Sequence, residues 1–284
     1  MASTYRRLNQ FVAVGLSAAC GSLATYYGFN KRWLNVDNEK DYYTVFENRE
    51  SKWDSNWDRR DPKSLVKPVD PNNSKLQNEY NKQIEEKKSR ATRHIFLIRH
   101  GQYNLNGETD EERKLTELGR RQALLTGERL SLLNYPWTSI TQSTMTRAIE
   151  TCSLIQKHLP ANLPLYSSDL LREGAPVPPD PPNKHWKPEL YQFYRDGARI
   201  EAAFRKFIHR APPEQKENSY EIIVCHGNVI RYFVMRTLQL TPEAWLRLGI
   251  DHASITALSI YPNGRASLRS FSNSGFMPPD AISS

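Results

Sequence analysis

Ile95-Phe96-Leu97-Ile98-Arg99-His100-Gly101 and Ile222-Ile223-Val224-Cys225-His226-Gly227 are the two stretches that decide the fold. Each opens with four apolar residues, mostly β-branched or aromatic and too few for a helix, as expected of a strand buried on both faces. Each ends in a histidine followed by a glycine. Working outward, Thr116 caps a helix over residues 116–133, with Leu118, Ala123, Leu125 and Leu130 at helical spacing. A strand ending over residues 140–143 leads into a helix that reaches residue 155. A short strand follows over residues 165–167. An amphipathic helix is predicted within residues 189–210, with Ile200, Phe204, Phe207 and Ile208 on one side. A further helix spans residues 229–238. Strands over 255–261 and 266–271 flank the turn signal Pro262-Asn263-Gly264. This alternation predicts an α/β three-layer sandwich, a mostly parallel sheet with helices on both faces, over residues 92–284 including a C-terminal tail.

In parallel sheets ligands gather at the carboxyl ends of strands, so His100 and His226 are expected to be neighbours despite their separation in sequence. Gly101 and Gly227 leave room for a ligand to approach the backbone. Arg99 follows four apolar residues, a costly place for a permanent charge unless it meets an anion. Arg147, in Ser143-Thr-Met-Thr-Arg147-Ala-Ile-Glu150-Thr151, falls in the first turn of a helix, where free N–H groups and the helix dipole favour anions. Guanidinium forks match phosphate oxygens. Glu173, between a short strand and a stiff loop with prolines from Pro176 to Pro182, is the carboxylate placed to move a proton. The pattern points to phosphoryl transfer onto an imidazole.

Upstream, residues 1–32 differ in kind. Residues 11–29 carry no charge and are long enough for one bilayer crossing. Arg6 and Arg7 precede this run, Lys31 and Arg32 follow it, and the first acid is Asp37. We read an uncleaved single-pass anchor of mitochondrial type; a cleaved targeting peptide and a buried soluble helix are the alternatives. Residues 33–91 form a charged connector with a helix-prone stretch over 75–88. It contains Trp53-Asp54-Ser55-Asn56-Trp57-Asp58, whose indoles either lie on the chain's own domain or anchor contacts with another copy. The net charge of +8 favours an anionic partner. The basic residues are scattered, which argues against nucleic acid. Cys20, Cys152 and Cys225 form neither a paired framework nor a metal-ligand spacing, and no cofactor is expected.

Arg99-His100-Gly101, Leu115-Thr116-Glu117-Leu118-Gly119, the 143–151 stretch, Glu173 and His226-Gly227 together resemble the histidine phosphatase, or phosphoglycerate mutase-like, superfamily over residues 92–272. The resemblance implies that His100 is the phosphorylated nucleophile. It implies that Arg99, Arg147 and His226 bind the phosphoryl group, and that Glu173 is the proton donor and later the base. Asn106 matches a phosphate-contacting asparagine of many members, although Tyr103 stands where a small hydroxyl residue is usual. The whole chain resembles the family's membrane-anchored mitochondrial protein-phosphatase branch. The shared marks are the 53–58 motif, with Ser55 in place of its proline, the Asp169-to-Pro176 run and the ending Gly275-Phe-Met-Pro-Pro-Asp280. That likeness implies phosphoserine and phosphothreonine proteins as substrates. It also implies self-association into dimers and higher multimers, the latter through Trp53, Asp54, Trp57 and Asp58. No segment resembles the Glu-Arg-His-Tyr-Gly run of mutases, which favours hydrolysis over phosphoryl return. A small-molecule phosphatase and a membrane scaffold are the competing readings.

Overall fold

Arg93–Arg99 forms β1, whose Ile95, Leu97 and Ile98 are fully buried. In the computed structural model, which describes residues 53–284, β1 lies between two strands of opposite sense. It pairs parallel with β4 (Ser219–Cys225), from Arg93 opposite Ser219 to Arg99 opposite Cys225. It pairs antiparallel with β5 (Ile255–Ile260). Beyond β4 lie β2 (Ser139–Ser143) and β3 (Leu165–Ser168), both parallel; beyond β5 lies β6 (Ala266–Asn273), antiparallel to it. The sheet order is β3-β2-β4-β1-β5-β6.

The sheet is therefore mixed, where sequence predicts a mostly parallel one. The cause is the end of the domain. The turn at Pro262-Asn263-Gly264 makes β5 and β6 a hairpin, with Gly264 at φ 82° and Gly264 N–H donating to the Tyr261 carbonyl at 3.0 Å. A tight hairpin can only be antiparallel, and β5 itself enters against the direction of β1.

Period-2 alternation sends neighbouring side chains to opposite faces. Phe96, Ile98, Ile222 and Val224 pack in one cluster with Leu130 of α2 (Glu117–Leu133) and Ala148, Cys152 and Ile155 of α3 (Thr146–Gln156). On the other side α5 (Gly227–Thr237) meets β1, and α4 (Leu190–Phe207) meets α5. Buried Ile200 and Phe204 come from α4, and Val229, Ile230 and Phe233 from α5. The predicted Thr116 cap is present: its hydroxyl accepts from Gly119 N at 3.0 Å, and Asn134 ends α2 in the left-handed region at φ 50°.

The compact unit begins at Asp54, so part of the stretch read as connector belongs with the domain. The apolar run over residues 11–29, Cys20 and the first part of the connector lie outside the described residues. The helix-prone stretch is α1 (Ser74–Glu86), which buries none of its side chains. Trp57 is buried against Phe204, with ring centroids 5.8 Å apart, and its Nε1–H donates to the Gly264 carbonyl at 2.8 Å. Asp54, exposed, stiffens the turn in the absence of the motif's proline: its carboxylate accepts from Asn56 N at 2.8 Å. Gln239 brackets its backbone, donating to the Asp54 carbonyl and accepting from its N–H. Trp53 is the first described position.

Asp58 completes the docking. Its carboxylate accepts from Arg210 Nε and Nη2 and from the Arg210 backbone N–H, with side-chain exposures of 1% and 2% for the two partners. Burial pushes the Asp58 carboxyl up, but the Arg210 bonds and charge outweigh it and hold it below the usual range. A carboxylate with a depressed folded pKa adds stability above its unfolded pKa, and that stability is lost as pH falls through the folded value. Asp58→Ala leaves a buried guanidinium unpaired, with an expected cost of about 3–5 kcal/mol near neutral pH. The urea midpoint of the variant reads this directly. A midpoint equal to that of wild type would mean that the pair does not hold the segment in place.

Candidate active site

The pairing that brings Arg99 opposite Cys225 sets His100 and His226 side by side. His100 N–H donates to the Cys225 carbonyl at 3.0 Å, and the two imidazole centroids are 5.1 Å apart. Both rings are buried, with exposures of 2% and 0%. On the far side of β4, β2 ends in Ser143 and the chain turns into α3, which carries buried Arg147 in its first turn. Arg147 Nε stands 3.2 Å from His100 Nε2.

These contacts fix the protons. His100 Nδ1 lies 2.8 Å from the Gly101 carbonyl, which can only accept, so the ring proton sits on Nδ1. Nε2 therefore presents a lone pair, toward which Arg147 Nε–H points. Burial, then the charges of His226, Arg147 and Arg99, hold the His100 imidazolium well below the ordinary histidine range, so the ring is a neutral base. His226 is likewise neutral, first through burial and then through Arg147 and other arginines. Its Nε2 is 2.8 Å from Ser143 Oγ, which already accepts from Met145 N at 3.3 Å. The Ser143 hydroxyl can donate its proton to Nε2, and in that tautomer His226 carries its proton on Nδ1.

Among the buried polar atoms of the described residues that have no hydrogen-bond partner are three donors of this cluster, His226 Nδ1, Arg99 Nε and Arg147 Nη1, the last 3.8 Å from Asp110 Oδ1, which has none either. Arg99 is held through Nη1, which donates to the Ile250 carbonyl at 2.5 Å. Arg147 carries Tyr103 beneath its guanidinium at 4.6 Å, and Tyr103 meets His100 edge-on at 5.1 Å. Unsatisfied buried donors cost about 1–3 kcal/mol each. Donors of this kind in the cluster that holds His100 are what a tetrahedral oxyanion would satisfy.

Glu173 borders the same place. Its carboxylate accepts from Gly174 N at 3.2 Å and Asn228 N at 3.4 Å. Its own N–H donates to Met145 Sδ at 3.3 Å, and its carbonyl accepts from Arg199 Nη2 at 3.0 Å. Burial raises its pKa; Arg147, the two N–H groups and Arg99 offset only part of that, and the net shift is upward. A carboxyl so placed holds a proton longer than a free one. A cleft of about 560 Å³, lined by Tyr103, Met145, Arg147, Glu173 and Asn228 among others, opens from the centre.

Of the residues singled out by sequence, the structure thus gathers Arg99, His100, Arg147, Glu173 and His226. Gly227 is the first residue of α5, and a Cβ there would make an ordinary contact with Arg99 Nε at 3.4 Å. Gly101, by contrast, has no room for a side chain. A Cβ there would meet the Gly119 carbonyl oxygen at 2.5 Å, so the close approach is to α2. Asn106 is exposed, and its backbone N–H rests on Asn104 Oδ1. Its side chain takes no part in the bonds that tie the cluster. Trp57, Asp54 and Asp58 serve the docking described above and are not part of this cluster.

Sequence reasoning gave no role to four supporting residues. Ser143 ends a third parallel strand beside β4, a position that the strand-end rule itself could have flagged. Thr151 lies one turn after Arg147; its hydroxyl donates to the Arg147 carbonyl at 2.7 Å and accepts from Gly101 N at 3.0 Å. Tyr103 stood out only as an odd residue. Asp110, which accepts from Thr146 N at 3.0 Å and lies 3.8 Å from Arg147, sits among other loop acids and gave no signal.

Known proteins carry the same pattern. The profile of the histidine phosphatase superfamily (branch 1) matches residues 95–176 and 179–273. The Rattus norvegicus protein named serine/threonine-protein phosphatase PGAM5, mitochondrial, is 56% identical over 230 residues, covering 81% of this chain and 80% of its own. A Drosophila yakuba protein named serine/threonine-protein phosphatase Pgam5, mitochondrial, is 45% identical over 290 residues, covering 98% and 96%. Among solved structures, mycobacterial hydrolase 2 superposes with a TM-score of 0.50 at 22% identity, over 66% of this chain and 94% of that one, and shares the fold. The matched residues run through every strand-end group of the cluster, from Arg99 to His226, and by that match the chain belongs to the histidine phosphatase superfamily.

Proposed function

We propose that this chain is a serine/threonine-protein phosphatase that works through a phosphohistidine on His100. The observation that carries the reading is the buried, neutral His100, whose Nε2 faces Arg147 Nε at 3.2 Å in a cluster where Arg99, Arg147 and His226 keep unpartnered polar nitrogens. In the first step Nε2 attacks phosphorus and the bond to the seryl or threonyl oxygen breaks, while Glu173 gives its proton to that oxygen. Arg99, Arg147 and His226 Nδ1–H bind the equatorial oxygens as charge gathers on them. In the second step Glu173, now a carboxylate, takes a proton from water, which attacks phosphorus. His100 leaves as a neutral imidazole, because its proton stays on Nδ1, which donates to the Gly101 carbonyl throughout. The guanidinium groups supply the positive charge that a metal ion gives other phosphatases.

The protein substrate is supported by the names of the relatives, and hydrolysis by the missing mutase segment. A mitochondrial location, with residues 11–29 as a membrane anchor, is part of the same reading, supported by those names and by the uncharged run. So is assembly through residues 53–58. Since Trp57 and Asp58 fill a socket of their own domain here, assembly through them would require the same socket to be filled by another copy's segment.

His100→Ala is expected to abolish turnover of a phosphoserine peptide by orders of magnitude without unfolding the domain. Acid-labile, base-stable phosphate should be trapped on wild type and absent from the variant; appreciable turnover by His100→Ala would sink the mechanism. Excess EDTA should leave wild-type activity unchanged, and a loss reversed by an added divalent cation would show a metal at work.

The raised Glu173 pKa gives the phosphorylation step an alkaline limb, since the acid is present below that pKa and lost above it. His100, already neutral, adds no acidic limb near its ordinary value of about 6.5. In rapid-quench measurements Glu173→Gln should remove the alkaline limb. It should also slow phosphorylation by a phosphoserine peptide far more than by p-nitrophenyl phosphate, whose leaving group needs no proton. Equal losses on both substrates would take the acid role away from Glu173.

A further inference from the structure

A phosphomonoester carries up to two negative charges, and Arg99 and Arg147 already answer them. The cleft holds a third guanidinium that this account does not use. Arg113 lines the cleft beside Tyr103 and Arg147. Its Nε donates to the Gly107 carbonyl at 2.9 Å, and its backbone N–H to the Asp110 carbonyl at 3.2 Å. Gly107 is cut to fit it: a Cβ there would stand 3.0 Å from Arg113 Cγ and 2.9 Å from the Glu112 carbonyl carbon. The side chain is therefore seated by its own loop, near enough to Arg147 for the like charge to weaken that group's hold on its proton.

Among the described residues no carboxylate stands within ion-pair distance of Arg113. Asp110 offsets part of the Arg147 charge, but Arg113 has no such partner, and two guanidinium groups side by side are better held when an anion joins them. Lys187 and Arg195 line the same cleft, and of these Arg195 is paired with Asp196 at 3.1 Å.

We propose that Arg113 forms an anion subsite next to the phosphoryl pocket, so that the preferred substrate is a phosphoserine or phosphothreonine with a second negative group adjacent to it. That group is an acidic side chain or a second phosphoryl; both offer oxygens to the guanidinium fork. The inference rests on the protein-phosphatase reading and adds the class of sequence that the cleft selects.

The test uses three phosphoserine peptides, flanked by neutral residues, by aspartates or by a second phosphoserine. Binding is measured by fluorescence polarisation to full-length His100→Ala, and kcat/KM on the wild type. Either anionic peptide should be favoured over the neutral one by about tenfold, the worth of one charged hydrogen bond. The tighter of the two identifies the second group. Added to either background, Arg113→Gln should bring the three peptides close to parity, whereas Arg113→Lys, which keeps the charge, should keep most of the preference. No preference in the parent protein overturns the subsite, as does an unaltered preference in Arg113→Gln. An equal loss in Arg113→Lys also overturns it, since the loop's shape and not the charge would then be at work. If the wild type hydrolyses none of the peptides, the phosphatase reading falls, and the binding ratios still decide the subsite.

Discussion

Parallel pairing of two strands in a single register is the constraint on which the rest of this molecule depends. With Arg99 opposite Cys225, the residues that follow, His100 and His226, leave the sheet at one level and beside each other. A slip of one residue would turn every side chain of β1 to the other face. That slip is barred because β1 is central, held by β4 on one edge and β5 on the other, with Ile95, Leu97 and Ile98 fully buried. The other groups arrive by the same logic. Gln142 pairs with Val224, so β2 delivers Ser143 to His226 and opens α3 with Arg147 in reach of His100. Burial of the hydrophobic sheet thus gathers the polar groups of the cluster at one end of the strands.

Electrostatics then sorts those groups into roles. Two histidines are buried among arginines, and neither keeps a proton charge. In the proposed mechanism one is the nucleophile, its Nδ1 tied to a carbonyl, and the other a donor, its Nε2 facing a hydroxyl. Glu173 is pulled both ways, by burial and by cations, and burial prevails. A carboxyl that is readily protonated beside guanidinium groups can give a proton in one half-reaction and take one in the next.

How much of this could be read from the sequence depends on the range of each interaction. The strands ending in His100 and His226, the Thr116 cap and the hairpin at Gly264 are local patterns, and all are present. The five-group cluster was legible because strand ends meet by rule, and because Arg99 is unreasonable without an anion. What escaped is set by contacts between distant parts of the chain. Asp58 and Arg210 lie 152 residues apart, and nothing in either neighbourhood announces a buried pair. The direction of β5 depends on how the chain returns after α5, which composition does not encode. Gly101 looked like an opening for a ligand, yet the structure fills that space with α2. Asn106 was placed by analogy alone, and the loop carries it to the surface.

Met145 is an uncharged residue with no proton to exchange, yet it touches both halves of the chemistry. Its amide bonds to Ser143 Oγ, which orients the imidazole of His226. Its sulfur accepts the amide of Glu173, the acid of the proposed mechanism. The spacing between the two is therefore gauged from one residue, as a jig holds two parts at a set distance. The thioether is the soft part of that jig. It can follow a carboxyl that shifts between giving and taking a proton, while the backbone side of the same residue keeps the imidazole still.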